Sequence, residues 1–475
     1  MPTESQSASL ASTLVARFLR THNYTQTLNA FLQEAGLPAD AGQLRGKDDA
    51  PNWTIESVLE EKKAFDQSVN FERYSENDKD KDVWSVPAPT KPNIIRTPTA
   101  TNLLACSVEQ WQPSDESPSP YLVATGADKH LHLFKTSPGN DLVQSFTETS
   151  ESPILSYVPI QNGKYILMTN MSGQLLLQRG AQILDRRKDH AKYAVKVIAY
   201  EDDNNDSIYI ATAGWDSKIF LYRMPTTDSD QTQIGEPVAS VPLVSNPESI
   251  LFVRHIDTRE LILLVSRRDS TYLYYYQVEP EQHRHQSALL YECPLLGKQN
   301  LAPHSNAWVA FSPSCLALSP HDPGLIAIAT STLPHMKVMI VRLLFPAAES
   351  LEEPETQAAQ AMAALSLQNH EDAAIMIQAN TFAPQTAYST PQVVWRPDGS
   401  GVWVNGDDGV IRGVETKTGK IVTLLKDGHE VGCKIRTIWA GWVKGPGKRE
   451  EEDGGGREEW LVSGGFDKRL VVWRV

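Results

Sequence analysis

Two histidine pairs, His130/His132 and His283/His285, have the spacing at which a β-strand presents both rings on one face, and paired imidazoles can hold a metal ion. Neither pair has an evident Cys or acidic residue as a further ligand, so both read as ordinary strand or surface histidines and no metal is expected. The four cysteines (Cys106, Cys293, Cys315, Cys433) are far apart and form no CxxC pair. That argues against a zinc site and against a disulfide-stapled secreted fold. Gly454-Gly-Gly456 lies in an acidic loop with no helix after it to cradle a phosphate, and the stretch 444–459 reads as a flexible loop. No GxxxxGK(S/T), GxSxG or HExxH occurs, so the expectation is a non-enzyme without a cofactor.

A different set of residues recurs with a fixed spacing. In Trp460-Leu-Val-Ser-Gly-Gly-Phe-Asp467-Lys-Arg-Leu-Val-Val-Trp473, two apolar strands flank a tight turn, and Asp467 is followed by Leu470, Val472 and Trp473. The same count runs from Asp128 (Leu131, Leu133, Phe134), Asp216 (Ile219, Leu221, Tyr222) and Asp269 (Tyr272, Tyr274, Tyr275). Degraded copies start at Ser172 and Asp408, and a seventh is inferred from Leu325–Thr330 with Lys337–Val341. Period-two alternation sends positions three and five to one face and position six to the other. A lone four-stranded sheet cannot bury both faces, so such units must stack, and a closed ring removes the end faces.

These residues resemble the WD40 family, which pairs a Gly-His, a turn Asp, a strand Ser or Thr and a terminal Trp in a hydrogen-bond network. The last unit, with Gly428-His429, Asp467 and Trp473, is the best match, although Gly465 stands where the Ser is expected and Ser463 is the candidate substitute. The unit near Asp189-His190 ends in Tyr222 in place of Trp. The resemblance implies a mainly β, seven-bladed propeller over 93–475. The chain ends on a third strand, so Ile94 and Ile95 are expected to supply the missing outer strand and close the ring. Residues 346–380 hold six acids and no Lys or Arg, with a helix-prone Ala-rich centre, and read as a mobile insertion.

Ahead of the ring, Leu10, Leu14, Val15, Phe18 and Leu19 fall on one helical face, and Leu28, Phe31, Leu32 and Ala35 on another. Gly36 and Pro38 mark the end of the second helix. With Tyr24, Thr27 and Glu34, the pattern over 7–38 resembles the LisH motif, a dimerising helical hairpin. So short a hairpin cannot bury a core alone, which makes Leu14, Phe18, Leu28 and Phe31 the expected dimer contacts. The Ser- and Thr-rich N-terminus also has the composition of a transit peptide, but the hairpin is the fuller reading. Residues 50–92 read as a further amphipathic helix, from Trp53 to Tyr74, and a Pro-rich spacer.

The net charge of −14 disfavours nucleic acid and anionic membranes, and no apolar run is long enough for a membrane span. Residues just before the turn Asp lie, in WD40 proteins, on the upper rim. Trp215, Arg268 and Phe466 are therefore the expected contacts for protein partners. The function predicted is a homodimeric, non-catalytic scaffold or adaptor in the cytosol or nucleus. The alternative is a propeller enzyme or small-ligand binder with its site in the central channel.

Overall fold

The computed structural model describes residues 6–43, 54–56, 84, 86–113, 117–201, 207–226, 232–278, 290–304, 311–346, 357–444 and 457–475. It divides into two compact units, Met1–Asn77 and Asp78–Val475.

In the first unit, α1 (Gln6–Thr21) and α2 (Thr25–Glu34) form the hairpin. Ala16, Leu28 and Leu32 are buried between them, with Leu19, Phe31, Leu37 and Ala41 packed around. α2 ends as its sequence requires: Gly36 takes φ +64°, and the Leu37 N–H reaches back to the Leu32 carbonyl at 2.9 Å. Leu14, Val15 and Phe18 remain partly exposed on α1. Of the helix expected over Trp53–Tyr74, only Thr54–Glu56 are described, and the rest lies outside the described residues.

The second unit is mainly β and consists of seven sheets, each built on four antiparallel strands. Blade 1 runs from Leu103 to Phe146, blade 2 from Ile154 to Arg187 and blade 3 from Ala194 to Pro242. Blade 4 spans Pro247 to Asn300, blade 5 Pro313 to Pro384 and blade 6 Val393 to Leu425. Blade 7 takes Ile435–Lys444, Arg457–Gly465 and Leu470–Arg474, then borrows Lys91–Ile95 as its outer strand. Ile95 pairs with Leu470 and Ile94 with Val471. The edge that the chain end would have left open is thereby covered. Blade 3 gains a short fifth strand, Tyr291–Glu292, parallel to Ala239–Pro242.

One apolar layer separates each blade from the next, including blade 7 from blade 1, so the ring is closed. The spacing rule explains which side chain enters which layer. Leu131 and Leu133 face blade 2 while Phe134 faces blade 7. Ile219 and Leu221 face blade 4 while Tyr222 faces blade 2. Blade 4 departs from the count, because its turn is one residue longer than that of blade 3. Leu273 and Tyr275 fill the layer shared with blade 5, and Asp269 is exposed at φ +58°. Asp269 is therefore no counterpart of the buried turn aspartates.

The stretch from Trp84 to Pro92 is not a free spacer. Ala88 is buried, and Trp84 packs against Trp403 in the layer between blades 6 and 7. Gly413 is the reason this docking is possible, since a Cβ there would stand 2.7 Å from the Trp84 ring. The expected boundary at residue 92/93 thus moves N-terminal, because the Pro-rich run is part of the ring seam.

The insertion after blade 5's third strand also holds regular structure among its described residues. Helix α3 (Gln357–Ala374) leads directly into the outer strand Ile375–Pro384, so the last residues of 346–380 belong to the blade. Glu371 is buried and accepts the Asn300 N–H at 2.7 Å, which ties the helix to blade 4. In blade 7, Arg457–Glu459 belong to a strand, while 445–456 lie outside the described residues.

Candidate functional sites on the rim and in the channel

The four main strands of each blade are antiparallel, so turns joining second and third strands share a face with the loops that lead into the next blade. Backbone hydrogen bonds stitch these loops together. The N–H of Trp215 reaches the Tyr193 carbonyl, Arg268 that of Asn246, and Phe466 that of Lys434. The three expected rim residues consequently project from one face, and all three are exposed. Trp215 stacks on Tyr193 with ring centroids 5.2 Å apart. Arg268 holds Glu248 at 2.7 Å. Sequence reasoning missed their neighbours Val244, Tyr388 and Val431, which are 90%, 89% and 97% exposed. No spacing rule points to them because they sit in irregular loops.

Beneath this rim the turns are held by buried polar networks. His429 contacts Asp467 through Nδ1 at 3.0 Å and Ser463 through Nε2 at 2.8 Å, and Trp473 Nε1 donates to the same Ser463 oxygen at 2.9 Å. The network in blade 7 is therefore complete. The hydroxyl stands four residues before the Asp, at Ser463 and not at Gly465. A Cβ at Gly465 would lie 2.5 Å from the Asp467 carboxylate, so no side chain fits there.

Blade 3 repeats the arrangement with His190 between Asp216 and Thr212, each at 2.9 Å. There Tyr222 donates to Asp189 at 2.9 Å in place of the Trp contact. Burial pushes the Asp216 and Asp467 carboxyls up, but the hydrogen bonds and charge from His190 and His429, with backbone N–H donors, outweigh it and hold both below the ordinary carboxylate value. Asp408 in blade 6 pairs with Arg412 at 2.6 Å. These contacts hold the turns within their blades.

The innermost strands of all seven blades line a central channel of about 410 Å³. Glu109, Tyr157, Lys196 and Arg436 bring their polar groups to it. Tyr157 shares a hydrogen bond with Ser107 at 2.7 Å and donates to the Val123 carbonyl at 3.2 Å. Burial pushes the Glu109 carboxyl up to about 7, against the opposing effects of Ser107 and Lys196. Burial likewise raises the Cys106 thiol to about 12 and also raises that of Cys315. Neither is a thiolate nucleophile at neutral pH.

Because the Glu109 carboxyl is raised in the folded state, the protonated form is the one folding favours. Its stabilising effect is full below the ordinary value of 4.5 and lost as pH rises through about 7. Glu109→Gln is accordingly expected to raise the melting temperature at pH 8 while leaving it nearly unchanged at pH 5. Parallel melting curves at the two pH values would refute the assignment.

His283 and His285 lie outside the described residues. His130 and His132 are described, and contrary to the sequence expectation they have an acidic partner, Asp128, whose Oδ2 is 3.2 Å from His130 Nδ1. Its place in the turn of blade 1 hides this second role from the sequence. Burial lowers the His132 imidazole below its ordinary value, so the ring is neutral at pH 7. All four cysteines are free. Among the described residues no helix is long and apolar enough to cross a membrane.

Comparison with known families agrees with this architecture. The family described as UCP007778, beta-propeller domain, matches residues 114–439, and the UCP007778 LisH domain matches residues 10–41. No curated protein matches the chain. Since the propeller match covers well over half of the sequence, the chain belongs to the UCP007778 β-propeller family and carries that family's LisH domain at its N-terminus.

Proposed function

We propose that this protein is a non-catalytic interaction scaffold that dimerises through its LisH hairpin and binds protein partners on the propeller rim. The observation that carries the reading is the exposure, on one face, of Tyr193, Trp215, Val244, Tyr388, Val431 and Phe466 beside Arg268. Large apolar side chains left in water on a rigid scaffold, with aromatic and Arg anchors, are the composition of a protein-binding surface. The hairpin supports dimerisation in the same way, because Leu14 and Phe18 stay only partly covered one helical turn apart. The channel offers two carboxylates raised by burial, Glu109 and Glu248, three cations, Lys196, Arg268 and Arg436, and unreactive thiols, an arrangement without a paired nucleophile and base among the described residues. The net charge and the free cysteines support a reducing compartment, cytosol or nucleus, and partners other than nucleic acid.

Affinity capture and light scattering separate the two halves of the proposal. The chain lacking residues 1–77 keeps Trp84–Ile95 and hence the seam, and is expected to be monomeric while retaining partners of the rim. Trp215→Ala and Phe466→Ala should each weaken partner binding by about 2 kcal/mol, roughly 30-fold, without changing the melting temperature, because both residues are exposed. An unchanged mass after the deletion refutes the dimer. An unchanged set of captured proteins with the double variant refutes the rim.

A further inference from the structure

Asp128, His130 and His132 alternate along a turn and the strand Leu131–Lys135, and neither the channel nor the partner rim uses them. Their spacing sends both imidazoles to one side of the strand, with ring centroids 6.0 Å apart and nearly perpendicular. Asp128 closes the cluster, since one ligand atom from each of the three residues lies within 4.8 Å of the others. Asp128 Oδ2 stands 3.2 Å from His130 Nδ1. Two donors on one tetrahedral ion, with bonds of about 2.0–2.1 Å, sit roughly 3.3 Å apart.

The orphan nitrogen of His132 makes this more than an ion pair. The residue is 1% exposed, and its Nδ1 is engaged with Ser145 Oγ at 2.8 Å. Its Nε2 is buried with no hydrogen-bond partner. An unpaired buried imidazole nitrogen is costly, and a neutral ring donating Nδ1–H to Ser145 leaves a lone pair on Nε2 with nothing to receive it. Ligating histidines are held in this way, one nitrogen donating to a supporting oxygen while the other faces the metal. Asp128 is itself fixed, accepting the Thr99 hydroxyl and, through Oδ1, the His130 N–H at 3.2 Å.

We propose that Asp128, His130 and His132 bind a divalent transition-metal ion, with a carboxylate oxygen and two imidazole nitrogens as protein ligands and water in the remaining position. Two imidazoles with one carboxylate suit Zn²⁺ and its neighbours, whereas Ca²⁺ and Mg²⁺ take oxygen ligands. This goes beyond the scaffold reading and does not depend on it.

The test is Zn²⁺ titration of the chelator-treated full chain by calorimetry, with thermal melting alongside. His130→Ala removes a ligand from a partly exposed position outside the apolar layers, and should bind one equivalent less than the wild type. Its melting temperature should no longer respond to Zn²⁺ as the wild type's does. Ser145→Ala keeps all three ligands but releases the His132 tautomer, and should weaken binding about 10-fold. No uptake by the wild type, or equal stoichiometry and equal melting shifts in wild type and His130→Ala, overturns the proposal.

Discussion

Arg396→Ala is expected to destabilise the propeller by about 3–5 kcal/mol, the cost of leaving a buried charge without its partner. Arg396 is fully buried, and its guanidinium faces Glu459, itself 2% exposed, through Nε at 3.1 Å and Nη2 at 2.7 Å. Its other donors reach Ser400 and the Val86 and Pro87 carbonyls, and its Cζ lies over the Trp84 ring, 4.6 Å from the centroid. One side chain thus ties blades 6 and 7 to the segment that delivers the seam strand. Arg396→Lys should rescue little, because a single ammonium cannot reproduce the forked contact. The double variant Arg396→Met/Glu459→Leu should recover most of the loss, since removing both charges removes the desolvation penalty. Denaturant unfolding of the three variants decides the matter. A loss under about 1 kcal/mol for Arg396→Ala would mean the pair is solvated and the anchor is absent.

The second large effect is expected from Trp473, which is 1% exposed within the blade 6/7 layer and donates to Ser463. Trp473→Ala should cost about 3–5 kcal/mol through the cavity it leaves. Trp473→Phe should cost less, keeping most of the volume while leaving Ser463 with one donor fewer.

His429→Ala acts on the same network by a different route, orphaning Ser463 and Asp467, and carries a pH signature. The Asp467 carboxyl lies below its ordinary 3.8 because of His429, despite burial. It therefore contributes stability above about pH 3.8 that is lost as pH falls through the lowered folded value. Wild type should show the steeper loss of stability as pH falls below about 3.8, and His429→Ala the shallower one. Equal acid slopes would contradict the assigned role of His429.

Spacing alone determined the blades, because a period-two strand must send Leu131 and Leu133 to one layer and Phe134 to the other wherever it is placed. The hairpin and the need for a borrowed seam strand were legible for the same local reason. The rule failed where one residue changed the turn: the longer turn of blade 4 shifted every later side chain and left Asp269 in solvent. What depends on contacts between distant segments was decided only by the tertiary structure. Ser463 and not Gly465 completes the network, because the backbone there approaches the Asp467 carboxylate too closely for a side chain. Trp84 and the Pro-rich run became part of the ring because Gly413 and Arg396, more than 300 residues away, form the surface that receives them. The Asp128–His130–His132 cluster was visible as letters, but the unpaired His132 nitrogen exists only once the strand is buried. Sequence fixes which groups alternate on a strand, whereas only folding determines which of them are left without a partner.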